Sequence, residues 1–385
     1  MTTTAPEPGT APPRPRAMPE AVASDPHPGP VGRRHGAVEV LVAVAVVMLV
    51  AFDLVAFGYP WLDGPRTVQS QLPHPLLTVS RYGWLGAYLF FMASGFAVAL
   101  LSRGRGVGNY ATAVAVRRYP AYWAAVGVTV AVVAWVGDGV SYNRLTAWDR
   151  TLNLTMFQQA LGIGHVDPAY ALLWVELRFF LLFALVATFG ATYRRLLAFS
   201  MLWSVAALLA QATDNEALRY VFVPEQAPFF VAGIAFYLIY QYGPDVLLWC
   251  LAGFAFAAGQ RAVADQTPDT EAHLVHSLRE WPGHAAVVVF FLAMALLALR
   301  RLEWLDVRPA VVLGAVAYPL YLIHGQAGWT LILRLREDLS AGSALAVALV
   351  AAAAAALVIH LVADRLVAPR WGRSLREAIE RMPRE

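Results

Sequence analysis

The stretch AVEVLVAVAVVMLVAFDLVAFG, residues 37–58, decides the fold class. It is as long as the ~20 apolar residues a helix needs to cross a hydrocarbon core of ~30 Å. Similar stretches recur at 82–102, 119–137, 169–192, 195–212, 227–242, 245–259, 284–300, 310–333 and 342–363. The pattern predicts an all-α polytopic membrane protein with about ten transmembrane helices. The runs at 227–242 and 245–259 are short and fit tilted or re-entrant segments. Composition agrees. Of 385 residues 59% are hydrophobic and 14% charged, and mean hydropathy is +0.54, whereas soluble domains carry about 25% charge. A soluble enzyme and a disordered chain are excluded. Cys250 is the only cysteine, which rules out a disulfide framework and a cysteine-based metal site; no metal is expected.

The flanks differ from this middle. Residues 1–36 hold nine prolines and no Phe, Trp or Tyr, so they read as a disordered tail. In the tail from 367 to 385, Trp371, Leu375, Ile379 and Met382 fall at helical spacing with arginines between them. That pattern predicts a basic amphipathic helix on the membrane lipid. All 29 basic residues are arginine, a bias that GC-rich coding produces, as in actinobacteria. With ten spans and the N-terminus inside, nineteen arginines fall on the inner side and nine on the outer, with Arg178 inside a span. Both termini are therefore expected in the cytoplasm, across a cell membrane. The net charge of only +3 gives no reason to expect nucleic acid as a partner.

Ionisable residues within the spans are costly, roughly 2.5–3.5 kcal/mol each at the bilayer centre, and need an account. At ~1.5 Å per helical residue, Asp53, Glu176 and His324 fall in one layer of the outer half of the membrane. Their shared depth predicts a polar cavity where an imidazole exchanges a proton and a carboxylate orients it. The competing reading is interhelical glue, with Asp53 or Glu176 neutralised by Arg178. Arg117 and Arg118, just before Tyr119 and Pro120, read either as a phosphate clamp or as positive-inside anchors at the start of the third span.

Several segments in series resemble integral membrane acyltransferase family 3. GAYLFFMASGF, from Gly86 to Phe96, is similar to the family's G-V-D-x-F-F-x-x-S-G-F, with Ser94 at its serine. Arg117 to Trp123 looks like R-I-Y-P-A-Y-W, Leu173 to Phe180 like L-x-V-E-x-x-F-Y, and Phe230 to Gly233 like F-x-x-G. Ala317 to His324 resembles S-Y-x-x-Y-L-x-H, with Tyr318 and Tyr321 at its tyrosines. The resemblance implies an O-acyltransferase that moves an acyl group, as in O-acetylation, from acyl-coenzyme A to a hydroxyl of a carbohydrate or glycosylated natural product. No cofactor beyond that co-substrate is implied. His324, Glu176 and Asp53 become the catalytic candidates, with His324 favoured as base. Arg117, Arg118 and Tyr122 become donor-binding candidates, supported by Arg178, Ser94, Tyr318 and Tyr321. The sequence also departs from the family pattern. Asp53 stands where the family has a histidine, Val42 and Val114 where it has arginines, and Ala171 where it has a tryptophan. A proton-coupled transporter or flippase, or a non-catalytic relative, is the alternative that intramembrane charges equally suit.

Overall fold

The computed structural model describes residues 35–57, 72–137, 143–213, 215–274 and 277–380. The expected tail at 1–36 lies outside the described residues except for its last two. All regular structure among them is helical. In chain order the helices are α1 (Gly36–Ala51), α2 (His74–Ser80), α3 (Gly86–Ser102), α4 (Val107–Trp135), α5 (Ala147–Asn153), α6 (Tyr170–Phe189), α7 (Tyr193–Ala212) and α8 (Glu216–Phe222). They continue with α9 (Ala227–Tyr242), α10 (Val246–Glu271), α11 (Glu280–Ala298), α12 (Arg308–Ile323), α13 (Gln326–Leu335), α14 (Ala341–Ile359) and α15 (Ala368–Glu380).

Among the described residues eight helical stretches are long and apolar enough to cross a membrane, or nine if the bent pair α12 and α13 is one span. The chain is a multi-pass membrane protein. Ten spans were expected, and α4 accounts for the difference: Arg117, Arg118 and Pro120 fall in its middle. At 29 residues it begins twelve residues earlier than the apolar run suggested. The arginine pair therefore sits about 15 Å along the helix, not at its start. The apolar run at 245–259 likewise extends, through polar residues, into the 26-residue α10.

Lipid is as apolar as leucine, so helices in a membrane associate through close packing and polar contacts, and small residues allow the closest approach. Two motif glycines do this between α3 and α9. A Cβ at Gly95 would lie 2.3 Å from the Phe230 carbonyl oxygen, and one at Gly233 would lie 2.1 Å from that of Met92. Phe91 and Phe179 pack on Phe230 beside the crossing, at ring separations of 4.7 and 4.2 Å. Helix α1 lies between two cores. Its Ala45 joins the one built on α3, α9 and α11, while Val46 and Leu49 join the one built on α4, α12, α13 and α14.

Three local breaks place polar groups. The last turn of α1 widens into a π-turn over Phe52–Ala56, a feature frequent at functional sites. Helices α12 and α13 meet at 70° around His324 and Gly325. The segment from 143 to 168, between the expected spans 119–137 and 169–192, folds back onto the middle of α4. Tyr119, Tyr122 and Trp123 donate to the carbonyl oxygens of Thr155, Asn153 and Leu154 at 2.9, 2.6 and 2.8 Å. The tail helix α15 is tied to the same stretch of α4, its Trp371 ring 5.1 Å from that of Trp123.

The α3–α9 crossing makes a direct prediction. Gly233→Val should lower stability by about 3 kcal/mol or abolish folding. Gly253→Ala, with open space around its Cβ, should leave the detergent melting curve unchanged. Equal curves for both variants would contradict the packing.

Candidate active site

Tyr318 and Tyr321 of α12 and the residue that caps it, His324, follow at three-residue spacing along one stripe. Each end of that stripe meets a buried ionic group, and the two ends are ~9 Å apart along the axis.

At the Tyr318 end, Arg118 of α4 bonds the Glu176 carboxylate of α6. Ser94 of α3 donates to the same Glu176 oxygen at 2.7 Å. The Arg118 guanidinium lies over the rings of Tyr318, Phe180 and Phe90 at 4.6, 5.6 and 5.8 Å. Glu176 is 2% exposed and Arg118 22%, so this buried carboxylate is held by one cation, one hydroxyl and an aromatic surround. A cavity of about 390 Å³ opens beside it, lined by Ser94, Phe90, Arg117, Arg118, Tyr318 and Glu39 among others. Its walls come from the first half of α1, the second half of α3, the first half of α4 and the start of α15. It therefore lies toward the face where α1 begins.

At the other end, His324 Nε2 and Asp53 Oδ2 are 2.9 Å apart. The other ring nitrogen, Nδ1, lies 2.6 Å from the Tyr321 carbonyl oxygen, which can only accept. With Nδ1–H donating there, the Nε2–Oδ2 bond holds a single proton that either partner can carry. His324 is fully buried, whereas the Asp53 side chain is 19% exposed. Asp53 is thus the member of the pair that an incoming molecule can touch. The π-turn that carries it is held by the Trp329 indole, which donates to the Asp53 carbonyl at 2.9 Å.

The family's sequence profile, an acyltransferase domain, matches residues 37–363. The chain belongs to acyltransferase family 3. No curated protein and no solved structure matches it. Of the positions where the sequence resemblance implies a histidine and two arginines, Asp53 meets His324, and Val42 and Val114 line the cavity.

The structure redistributes the residues singled out in the sequence. Asp53 and His324 come together. Glu176 joins Ser94 and Arg118 instead, at the other end of the α12 stripe. Arg178 does not neutralise Glu176. It points to the other side of α6, where Nη1 donates to the Tyr220 carbonyl at 2.6 Å. Tyr122 does not line the cavity; it is fully buried, with its hydroxyl bound to Asn153. Tyr321 bonds the Ala169 carbonyl oxygen.

One residue of this region escaped the sequence reading. Asp167 is fully buried at the end of the folded-back segment. Oδ1 accepts from Ala169 N–H at 3.0 Å and Oδ2 from Gln326 N–H at 2.7 Å. One carboxylate thereby serves the first turns of both α6 and α13, where partial positive charge favours an anion. A Cβ on Gly325 would lie 2.2 Å from Oδ1, so glycine is what lets the break close onto it. The Asp167–Pro168 pair before an apolar run is a helix-start signal that could have flagged it. Burial pushes the Asp167 carboxyl up, from 3.8 to about 6, against the opposing pull of His324 and the two N–H groups.

Two outcomes follow. Arg118→Ala strands a buried carboxylate and should cost about 3–5 kcal/mol. The double variant Arg118→Met, Glu176→Gln should recover much of it in detergent melts; no recovery would contradict the pairing. For Asp167 the folded state binds the proton more tightly than the unfolded chain. Its contribution to stability therefore falls as pH rises from 3.8 to about 6. Asp167→Asn should flatten that slope in melts across the same window, and an unchanged slope would sink the assignment.

Proposed function

We propose that the protein transfers an acyl group from acyl-coenzyme A to a hydroxyl of a carbohydrate or glycosylated small molecule. Membership of the family supports a membrane acyltransferase. The finer reading rests on one observation: a cavity with two arginines at one end of the α12 stripe and an Asp–His pair at the other. Taking the face where α1 begins as cytoplasmic, as the arginine asymmetry suggests, puts both described ends of the chain there. Donor then enters through the cavity from the cytosol. Its phosphates meet Arg117 and Arg118, since guanidinium groups match phosphate geometry.

The thioester arm covers the ~9 Å along α12, past the rings of Phe90 and Tyr321. At Asp53 the acceptor hydroxyl gives its proton to the carboxylate. His324, buried behind it, steadies the charge and shares the proton. This reverses the order favoured from sequence: Asp53 takes the proton and His324 is its positioning partner. The hydroxyl oxygen attacks the thioester carbonyl and the carbon–sulfur bond breaks. The coenzyme A thiolate leaves with the proton that the pair had accepted. Arg118, bonded to Glu176, keeps one buried carboxylate neutralised beside the donor path.

The test is a reconstituted assay. Full-length protein in liposomes, given labelled acetyl-coenzyme A and a panel of glycosides, should yield an ester-linked product with equimolar free thiol. Asp53→Asn and His324→Gln, uncharged groups that can still hydrogen-bond across the pair, should each lower the rate by about 10²–10⁴-fold in protein that remains folded. Full activity in both variants would refute the mechanism, and no thiol release with any acceptor would refute the function.

A further inference from the structure

A second cavity, of about 620 Å³, lies on the opposite side of α1 from the cavity described above. Its wall is apolar and is formed by Val47, Met48 and Ala51 of α1, Val79 of α2, and Trp281 with Pro282 at the start of α11. Val47 is 60% exposed, Val79 74% and Trp281 65%. On membrane-spanning helices such surfaces face lipid, and an exposed tryptophan at a helix end marks the interfacial layer. The groove thus runs from the acyl-chain region up to the headgroup level, at the face where α1 ends.

Two arginines, Arg81 and Arg279, line the same groove. Arg81 spends Nη1 on the Ser277 carbonyl oxygen at 3.0 Å, while its Nε is buried and has no hydrogen-bond partner. Arg279 is fixed beside it through its backbone. Its N–H donates to the Tyr82 hydroxyl at 3.0 Å, and that hydroxyl lies 3.1 Å from the Arg279 carbonyl oxygen. Among the described residues neither arginine has a carboxylate partner. Three other arginines toward this face do, Arg219 with Glu225 at 2.6 Å, Arg261 with Asp265 at 2.9 Å, and Arg334 with Glu337, whereas Arg144, Arg150 and Arg336 do not, and none of these lines the groove. The positive-inside bias makes outer arginines the exception. Here two arginines line one apolar groove, and one of them has a buried donor left over. A single molecule complements all of these features: a phosphate flanked by two guanidinium groups, carried on a hydrocarbon chain that fills the groove.

We propose that this groove is a binding site for an anionic phospholipid. Its phosphodiester engages Arg81 and Arg279, and one acyl chain lies along Val47, Met48, Ala51 and Val79. The lipid bridges the end of α2 to the segment before α11. Those elements otherwise meet here through Tyr82 and Arg81.

The test uses the full-length protein purified in a neutral detergent, titrated with phosphatidylglycerol or phosphatidylcholine and followed by native mass spectrometry and melting temperature. Wild-type protein should retain one phosphatidylglycerol in preference to phosphatidylcholine and melt higher with it. Among the described residues the Arg279 side chain makes no hydrogen bond or ion pair, so Arg279→Gln should fold as the wild type does; it should weaken retention by about tenfold or more. Arg261→Gln, at an arginine already paired, should leave retention at the wild-type level. Unchanged retention in Arg279→Gln overturns the proposal. So does equal binding of phosphatidylcholine, or equal stabilisation by inorganic phosphate alone, which would assign the arginines to a soluble anion.

Discussion

A charge carried into an apolar slab must find its counter-charge there, and this bundle is organised around two such meetings. Arg118 meets Glu176, and His324 meets Asp53. Each meeting joins helices far apart in sequence, and α12 presents a tyrosine or histidine to both. An isolated buried ion is costly enough that removing one partner is far worse than replacing both. The relative placement of α1, α4, α6 and α12 is therefore constrained by electrostatics as much as by packing. Small residues make the constraint attainable. The glycines at the α3–α9 crossing let those two helices touch backbone to backbone. Gly325 lets Asp167 close onto the break beside His324.

The same arrangement separates two chemical environments by a short, defined distance. Around Arg118 the surroundings are cationic and aromatic, beside a cavity of about 390 Å³. Around Asp53 they are acidic and tightly bonded, with both nitrogens of His324 engaged. The segment from 143 to 168 belongs to the second environment as well. It is hung on α4 by three aromatic side chains and delivers Asp167 to the point where α12 breaks. A loop by sequence thus becomes part of the scaffold that holds the Asp–His pair.

Much of this was legible in the sequence. The apolar runs located the spans because crossing lipid demands length and hydropathy together, and the rise per residue placed Asp53 level with His324. The same reasoning failed for Glu176, which sits at the Tyr318 end of the stripe, ~9 Å along α12 from His324, and depth also says nothing of azimuth. Helix α6 turns Glu176 toward Arg118, while Arg178, two residues on, faces the opposite side and Tyr220. The start of α4 was misplaced because its first turns are too polar to register as a span, although they are helical. Asp167 went unseen because it lies between apolar runs. Its role depends on a backbone break in α12 that no local pattern announces.

The central claim is that the donor occupies the cavity at the Arg118 end, from which the acyl group travels along α12 to Asp53. The chain's single cysteine, Cys250, is exposed, so a Cys250→Ala background allows one new cysteine to report on that cavity. Placed at Ala97, on the cavity wall, it should react with a membrane-impermeant maleimide from the face where α1 begins, and acetyl-coenzyme A should slow that reaction in a saturable way. Alkylation at an unchanged rate under saturating acetyl-coenzyme A, with the catalysed transfer intact, would contradict the account.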